Sequence, residues 1–599
     1  MVNKTEGQTR GTEISNRTSR HIESDDFQHD RNRWRGNVMK PVWNKTLHIA
    51  LIAGFCLLLG TPVFAQRSKI APDLERVEPS TNVDVIVQFT HGPTAWHHAR
   101  VLAHGGVLKL QLDLVKGAAY KIKRGQLENL ARDPAVVYIS PDRKIKGMLD
   151  LTAAAVNAPT AWNSYGLSGT GIGIAIIDSG VTLTNDLKLM GAGSSRIAYS
   201  QDFTGQGVTT DLYGHGTHVA GIAAGNGKAS SYSADFRSFI GMAPQAQIIN
   251  LRVLDQNGES TDSEVIAALQ QAVALQNQYN IRVINLSLGR PVFESYKVDP
   301  LCQGVEAAWK AGIVVAVAAG NDGRDDSAGT NGYGTIYAPG NDPYVITVGA
   351  MKTMGTPQRT DDLIASYSSK GPTVVDHIIK PDIVAPGNQV VSDLASTSAT
   401  LFSQYPSTQV LIAYYATGYT KAISASYFML NGTSMATPVV SGAAALLIQQ
   451  NSSLTPDQVK ARMMLTAYKS FPVSSSVTDP TTGIVYTDYY DIFTVGAGYL
   501  DIAAALSSTA LATGTALSPS AVFNSKTDTA TLVPAAGSIW NAQTLWASQT
   551  VWGAAEVINS SQTLWGSQTL WGSQTLWGSQ SLWGQTTPAD ASIFLSQGE

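Results

Sequence analysis

Residues 171–178 read GIGIAIID, and three similar stretches follow: AQIINLRVL (246–254), RVINLSLG (282–289) and GIVVAVAAGN (312–321). Each is a short, nearly continuous apolar run rich in β-branched residues, the pattern of a strand buried on both faces. Between the last three lie helix-like segments, STDSEVIAALQQAVALQNQY (260–279) and PLCQGVEAAWKAG (300–312). In the second, Asp299 is placed to cap the helix and Pro300 to occupy its first position. Buried strands alternating with helices specify an α/β fold with a parallel sheet and helices on both faces. Downstream, Thr455, Pro456 and Gln458 form a capping-box helix start. GAGYLDIAAAL (496–506) is the last stretch that reads as packed.

Outward from this region the texture differs. Upstream, VDVIVQF (83–89) alternates as a half-buried strand does, and QLENLARDP and VVYISPD (136–142) supply a helix and a second strand. Residues 66–148 therefore read as a small α+β unit. Further upstream, LHIALIAGFCLLL (47–59) is too short to span a bilayer, which takes about 20 residues. Lys40 and Lys45 precede it, and Val63-Phe64-Ala65 supplies a small-residue cleavage site, so 39–65 reads as a secretory signal peptide. Residues 1–38 are a polar leader, and a start at Met39 gives the signal an ordinary form. Cys56 leaves with the signal, so Cys302 is the one cysteine of the exported chain, read as a small buried hydrophobe. No CxxC pair or His/Cys cluster suggests a metal site.

Composition narrows the function classes. The chain has 599 residues, 44% of them hydrophobic and only 14% charged, against about a quarter in average domains. Its 41 basic and 45 acidic residues nearly cancel, which argues against a nucleic-acid binder. Seven of the twelve tryptophans, Trp540 to Trp583, fall in a tail (508–599) built on the hexapeptide TLWGSQ. An even repeat puts every indole on one face of an extended strand, so the tail reads either as a glycine-punctuated disordered spacer or as a segment for self-association or retention at a cell surface.

Three motifs carry chemistry. Asp178 ends the strand GIGIAIID, His215 sits in GHGTHVAG (214–221), and Ser434 sits in NGTSMATPVVSGAAALL (431–447). A serine needs an adjacent base, and the base needs a carboxylate to fix its tautomer. Gly214 and Gly216 beside His215 suggest close approach of backbone and substrate. His218 reads as a packed core histidine.

DSG, HGTHVAG and GTSMATP, in the order Asp, His, Ser, resemble the subtilisin-like serine proteases, or subtilases; that order is subtilisin's own. The resemblance covers about 83–506. It implies a catalytic domain over 149–507 and a secreted endopeptidase working through an acyl-enzyme, with protein or peptide substrates. It matches Asn321, with the Ser434 backbone N–H, to the oxyanion hole. It matches Ser287, Leu288 and Gly289 to the strand that pairs with substrate, and Gly258 and Ser260 to the opposite wall. Residues 66–148 resemble an inhibitory propeptide that is cut away, which makes the chain a zymogen. No cofactor is implied for the chemistry. A structural calcium ion is left open, because Asp186 matches one ligand while the expanded loop 225–239 obscures the rest. The stretch from Pro386-Gly387 to Asn431 is also longer than in compact subtilisins. Asp322, next to Asn321, reads as a solvated turn residue, with attraction of basic side chains as the alternative. A rival reading of the whole chain is an inactive scaffold that adheres through its Trp-rich tail.

Overall fold

The computed structural model describes residues 69–539, apart from 72–73, 75–76, 114–115, 142–146, 149–150, 190–192, 480–481 and 525–528, together with 557–559. The expected leader, signal peptide and hexapeptide repeats lie outside the described residues. The chain divides into two compact units, 1–144 and 145–599, a few residues before the boundary expected at 148. Gly147–Met148 pairs in parallel with Arg237–Ser238 inside the second unit.

The first unit is a four-stranded antiparallel sheet in the order Val107–Leu112, Gly117–Lys123, Asn82–Phe89, Val136–Pro141. Its helices are Ala95–Ala103 and Leu127–Ala131. Val85, Val87, Phe89, Val101, Tyr120, Ile122, Leu130 and Ile139 form its core. The strands Asn82–Phe89 and Val136–Pro141 were legible in the sequence, and neither the outer strand Val107–Leu112 nor the inner strand GAAYKIK was. The latter buries Gly117, Ala118 and Ala119, which carry no strand propensity of their own.

The second unit is built on an eight-stranded sheet. Its order is Leu363–Ile364, Ile346–Lys352, Val314–Ala318, Ile281–Leu286, Gly173–Asp178, Gln247–Arg252, Ile197–Asp202, with Ile383–Pro386 also paired to Ile346–Lys352. All pairs are parallel except that of Leu363–Ile364. All four apolar runs become strands of this sheet. Gly173–Asp178 lies between Ile281–Leu286 and Gln247–Arg252, and every one of its residues is buried. The helix Thr433–Gln450 is buried from Met435 to Ile448, as an all-round apolar helix must be. It packs across the strands Ile281–Leu286, Val314–Ala318 and Ile346–Lys352 and against the helix His215–Ala224.

Packing continues past the expected end of the domain at 507. Ala512, Ala516, Ala521 and Ile539 join Ala461, Met464, Ile492 and Phe493 in a second core. A buried ion cluster ties this segment down. Lys380 and Lys460 both pair with Asp382, at 2.6 and 3.2 Å, and Ser518 donates to Asp382 at 2.5 Å.

The two expanded regions pack on each other. Residues 390–430 form a three-stranded sheet, Val390–Asp393, Ile423–Leu430 and Gln409–Leu411. Tyr415 and Tyr427 from it meet Phe239 edge to face, with centroids 5.6 and 4.6 Å apart.

Candidate active site

Parallel strands place their carboxyl ends along one edge, and the candidate residues gather there. Asp178 is the last residue of its strand and fully buried. Its Oδ1 accepts the Ser179 N–H at 2.7 Å and lies 2.8 Å from His215 Nδ1. His215 opens the helix His215–Ala224. Burial by itself would lower its pKa, but the charge and hydrogen bond of Asp178, with Asp211 adding, outweigh burial and raise it above the ordinary 6.5. Nδ1–H donation to the carboxylate leaves Nε2 as the basic nitrogen.

Gly216 is required here for a backbone reason. A Cβ on it would lie 2.2 Å from Gly180 O and 3.2 Å from Asp178 Oδ1. The close approach at this glycine is between the two chain segments that hold Asp178 and His215.

Ser434 is the second residue of the helix Thr433–Gln450. Its N–H belongs to the first turn, where backbone donors have no partner within the helix. Its hydroxyl donates to Ser287 O at 3.2 Å, and the Ser287 hydroxyl donates to Ser434 O at 2.7 Å. Asn321 Oδ1 accepts the Thr433 N–H at 2.9 Å and the Thr433 hydroxyl at 3.1 Å. With its oxygen so engaged, the amide turns its Nδ2 donors the other way. His215, Asn321 and Ser434 line one cleft together with Ser287, Leu288, Gly289, Gly258 and Ser260. Asp178 stands behind His215. All nine residues expected from the sequence thus meet at one edge of the sheet.

The subtilase family model matches residues 169–496, more than half of the chain. The chain belongs to the subtilase family. It is 37% identical over 337 residues to the serine protease AprX of Bacillus subtilis, covering 54% of this chain and 67% of that one. It is 30% identical over 433 residues to subtilisin E of Bacillus subtilis, covering 71% of this chain and 94% of that one. To the extracellular serine proteinase of a Thermus species it is 31% identical over 372 residues, covering 59% and 72%. This subtilase is a subtilisin-like serine endopeptidase.

Several residues of the subtilase site carry no signal in the sequence. Asp211, a lone acid in a loop, is buried and accepts from Ser179 Oγ, Gly214 N and Thr217 N at 2.7–2.8 Å. Burial pushes its pKa up to about 6 despite those bonds. It ties the start of the His215 helix to the residue after Asp178. Asn285 donates to Ser287 Oγ at 3.0 Å and accepts from Ser441 at 2.8 Å, bracing Ser287. His218 is structural, as expected: it donates to Val390 O, and burial drops its pKa to about 3. Cys302 is buried on its helix, and burial pushes its thiol far up. Asp322 departs from the expected solvated turn: it is part-buried and accepts the Tyr337 hydroxyl at 2.5 Å.

Asp186 is fully buried. Its oxygens accept the Ala229 N–H at 2.7 Å and the Tyr427 hydroxyl at 2.6 Å, so both expanded regions converge on it. Asp393 shares a hydrogen bond with it. Beside it, the Arg196 guanidinium donates to the carbonyls of Asp186, Ala224 and Ala246 at 2.6–2.8 Å.

Proposed function

We propose that this subtilase hydrolyses peptide bonds through an acyl-enzyme, with Ser434 as nucleophile, His215 as base and acid, and Asp178 as the carboxylate that orients the imidazole. The observation that carries the reading is the 2.8 Å Asp178–His215 bond in the cleft that Ser434 and Asn321 line. On substrate binding, the Ser434 hydroxyl turns from Ser287 O to His215 Nε2. It loses its proton to that nitrogen as Oγ adds to the scissile carbonyl. The oxygen of the tetrahedral adduct takes hydrogen bonds from Asn321 Nδ2 and the Ser434 N–H. One such donor is worth about 3–4 kcal/mol in rate, a magnitude measured on subtilisin. The protonated His215 then passes its proton to the leaving amine, and water repeats the sequence in reverse to release the acid.

Substrate lies as an added strand against Ser287-Leu288-Gly289, with Gly258 and Ser260 opposite. The chain is made with an export signal at 39–65 and acts outside the cell; that one relative is named an extracellular proteinase supports this. The α+β unit ending near 148 is an inhibitor that the enzyme removes from itself. Asp186 acts as a hydrogen-bond anchor and not as a calcium ligand. Its oxygens are already taken by the Ala229 N–H and the Tyr427 hydroxyl, it shares a hydrogen bond with the Asp393 carboxyl, and the Arg196 guanidinium occupies the nearby carbonyls that a cation would need, so the residues present do not fit the ion. Expression of the precursor tests the reading. Self-cleavage near residue 148 is expected in the native chain and none in Ser434→Ala; identical processing of both would overturn it.

A further inference from the structure

Two segments beside the cleft each carry a glycine. The wall Ser287-Leu288-Gly289 follows the strand Ile281–Leu286, and Ala319-Gly320-Asn321 follows the neighbouring parallel strand Val314–Ala318. A strand laid along the first wall, with its reacting carbonyl at Ser434, directs the side chain of that residue into the gap between the walls. The gap has a floor. A Cβ added to Gly289 would stand 3.1 Å from Tyr337 Cβ and 3.4 Å from its Cδ2. One added to Gly320 would stand 3.0 and 3.1 Å from Tyr337 Cδ1 and Cγ. The ring of Tyr337 is thus in reach of both glycines, and it lines the cleft together with Ser434.

The ring is also fixed in place. Tyr337 N–H donates to Ala319 O at 2.9 Å, on one wall. Ala338 and Arg290 exchange backbone hydrogen bonds at 2.8 and 2.9 Å, on the other. The phenol hydroxyl donates to Asp322 Oδ2 at 2.5 Å, and the residue is 8% exposed. To let a long side chain into the gap, the ring would have to leave a position held from both walls and from its tip.

We propose that Tyr337 closes the floor of this recess, so that the residue whose carbonyl is attacked must carry a small side chain. The inference rests on the reading of Ser434 and the 287–289 strand given above. Asp322 holds the ring down through the phenol, and with one oxygen so engaged it serves as a brace. Bulky aromatic or branched residues are excluded by volume, the kind of discrimination worth about tenfold or more for each misfit group.

A series of tetrapeptide anilides that differ only at the reacting residue tests this. The mature enzyme is expected to show kcat/KM for alanine above that for phenylalanine by about tenfold or more. Tyr337→Ala is expected to narrow or reverse that ratio by gaining activity on phenylalanine. Tyr337→Phe, which keeps the ring and loses the Asp322 bond, is expected to keep the preference for alanine. Preference of the native enzyme for phenylalanine, or for lysine or arginine, would overturn the proposal, and this needs no variant to fold. An unchanged ratio in Tyr337→Ala would overturn it as well. Failure of the underlying reading looks different: no anilide would be cleaved by the native enzyme, or cleavage would survive in Ser434→Ala.

Discussion

Replacing Gly216 by alanine probes how tightly the Asp178–His215 pair is set. The new Cβ would fall 2.2 Å from Gly180 O, where ordinary contact begins at 3.4 Å, and 3.2 Å from both Asp178 Cβ and Oδ1. Backbone carbonyl cannot swing aside as a side chain can, so the helix start and the segment after Asp178 must part by about 1 Å. That movement lengthens the 2.8 Å Asp178–His215 bond directly. Overpacking of this size costs about 1–3 kcal/mol of stability. A displacement of about 1 Å in catalytic groups costs about a hundredfold in rate, or about 2.7 kcal/mol. Because Asp178 is what lifts the His215 pKa against burial, the acid limb of kcat/KM should also move to lower pH. Steady-state kinetics on a peptide anilide across pH, beside thermal melts of both proteins, measures all three. A folded Gly216→Ala enzyme with kcat/KM within about twofold of native, or an unmoved acid limb, would refute the reasoning.

Further outcomes follow from the same contacts. In the native enzyme kcat/KM should fall with acid along a limb above pH 6.5, because His215 must be neutral to act and its pKa is raised; Asp178→Asn should carry the limb below 6.5. The sign for stability is opposite: a raised folded pKa makes the pair's contribution full below the unfolded pKa and lost as pH rises through the folded one. Truncation after residue 507 should lower the melting temperature by stripping Ala512, Ala516 and Ile539 from Met464 and Phe493, whereas truncation after 539 retains that core; equal melts of the two would contradict this packing. Lys460→Met should lower stability in a chemical denaturation, since three carbonyls and Ser518 lose their donor and a buried polar group left unsatisfied costs about 1–3 kcal/mol, while Asp382 keeps Lys380; unchanged stability would contradict this.

What the sequence made legible was whatever repeats or is bulky. Continuous Ile/Val runs marked the central strands, and short motifs around Asp178, His215 and Ser434 stood out because three of them share one order. Ile197–Asp202 escaped notice because IAYSQD is a half-polar edge strand, with alternate residues exposed. The segment 508–539 escaped because it packs through alanines, whose burial leaves no periodic trace. Asp211 and Thr433 escaped for a different reason: each acts through hydrogen bonds to backbone or amide groups that are distant or unremarkable in the chain. The need for Gly216 was read from the sequence as close approach of backbone and substrate, and the distance to Gly180 O shows which backbone atom requires it. Calcium stayed open in the sequence because Asp186 alone could be matched; the partners that fill its oxygens come from positions 229 and 427, too far away to align by eye.

The central claim is that one serine, activated by one histidine, does the chemistry. Intact-protein mass spectrometry after exposure to a phosphonylating serine reagent tests it most directly. The mature enzyme should gain a single adduct, located by peptide mapping on Ser434, and Ser434→Ala should gain none. An enzyme that stays unlabelled, or a label that persists at another residue in Ser434→Ala, would contradict it.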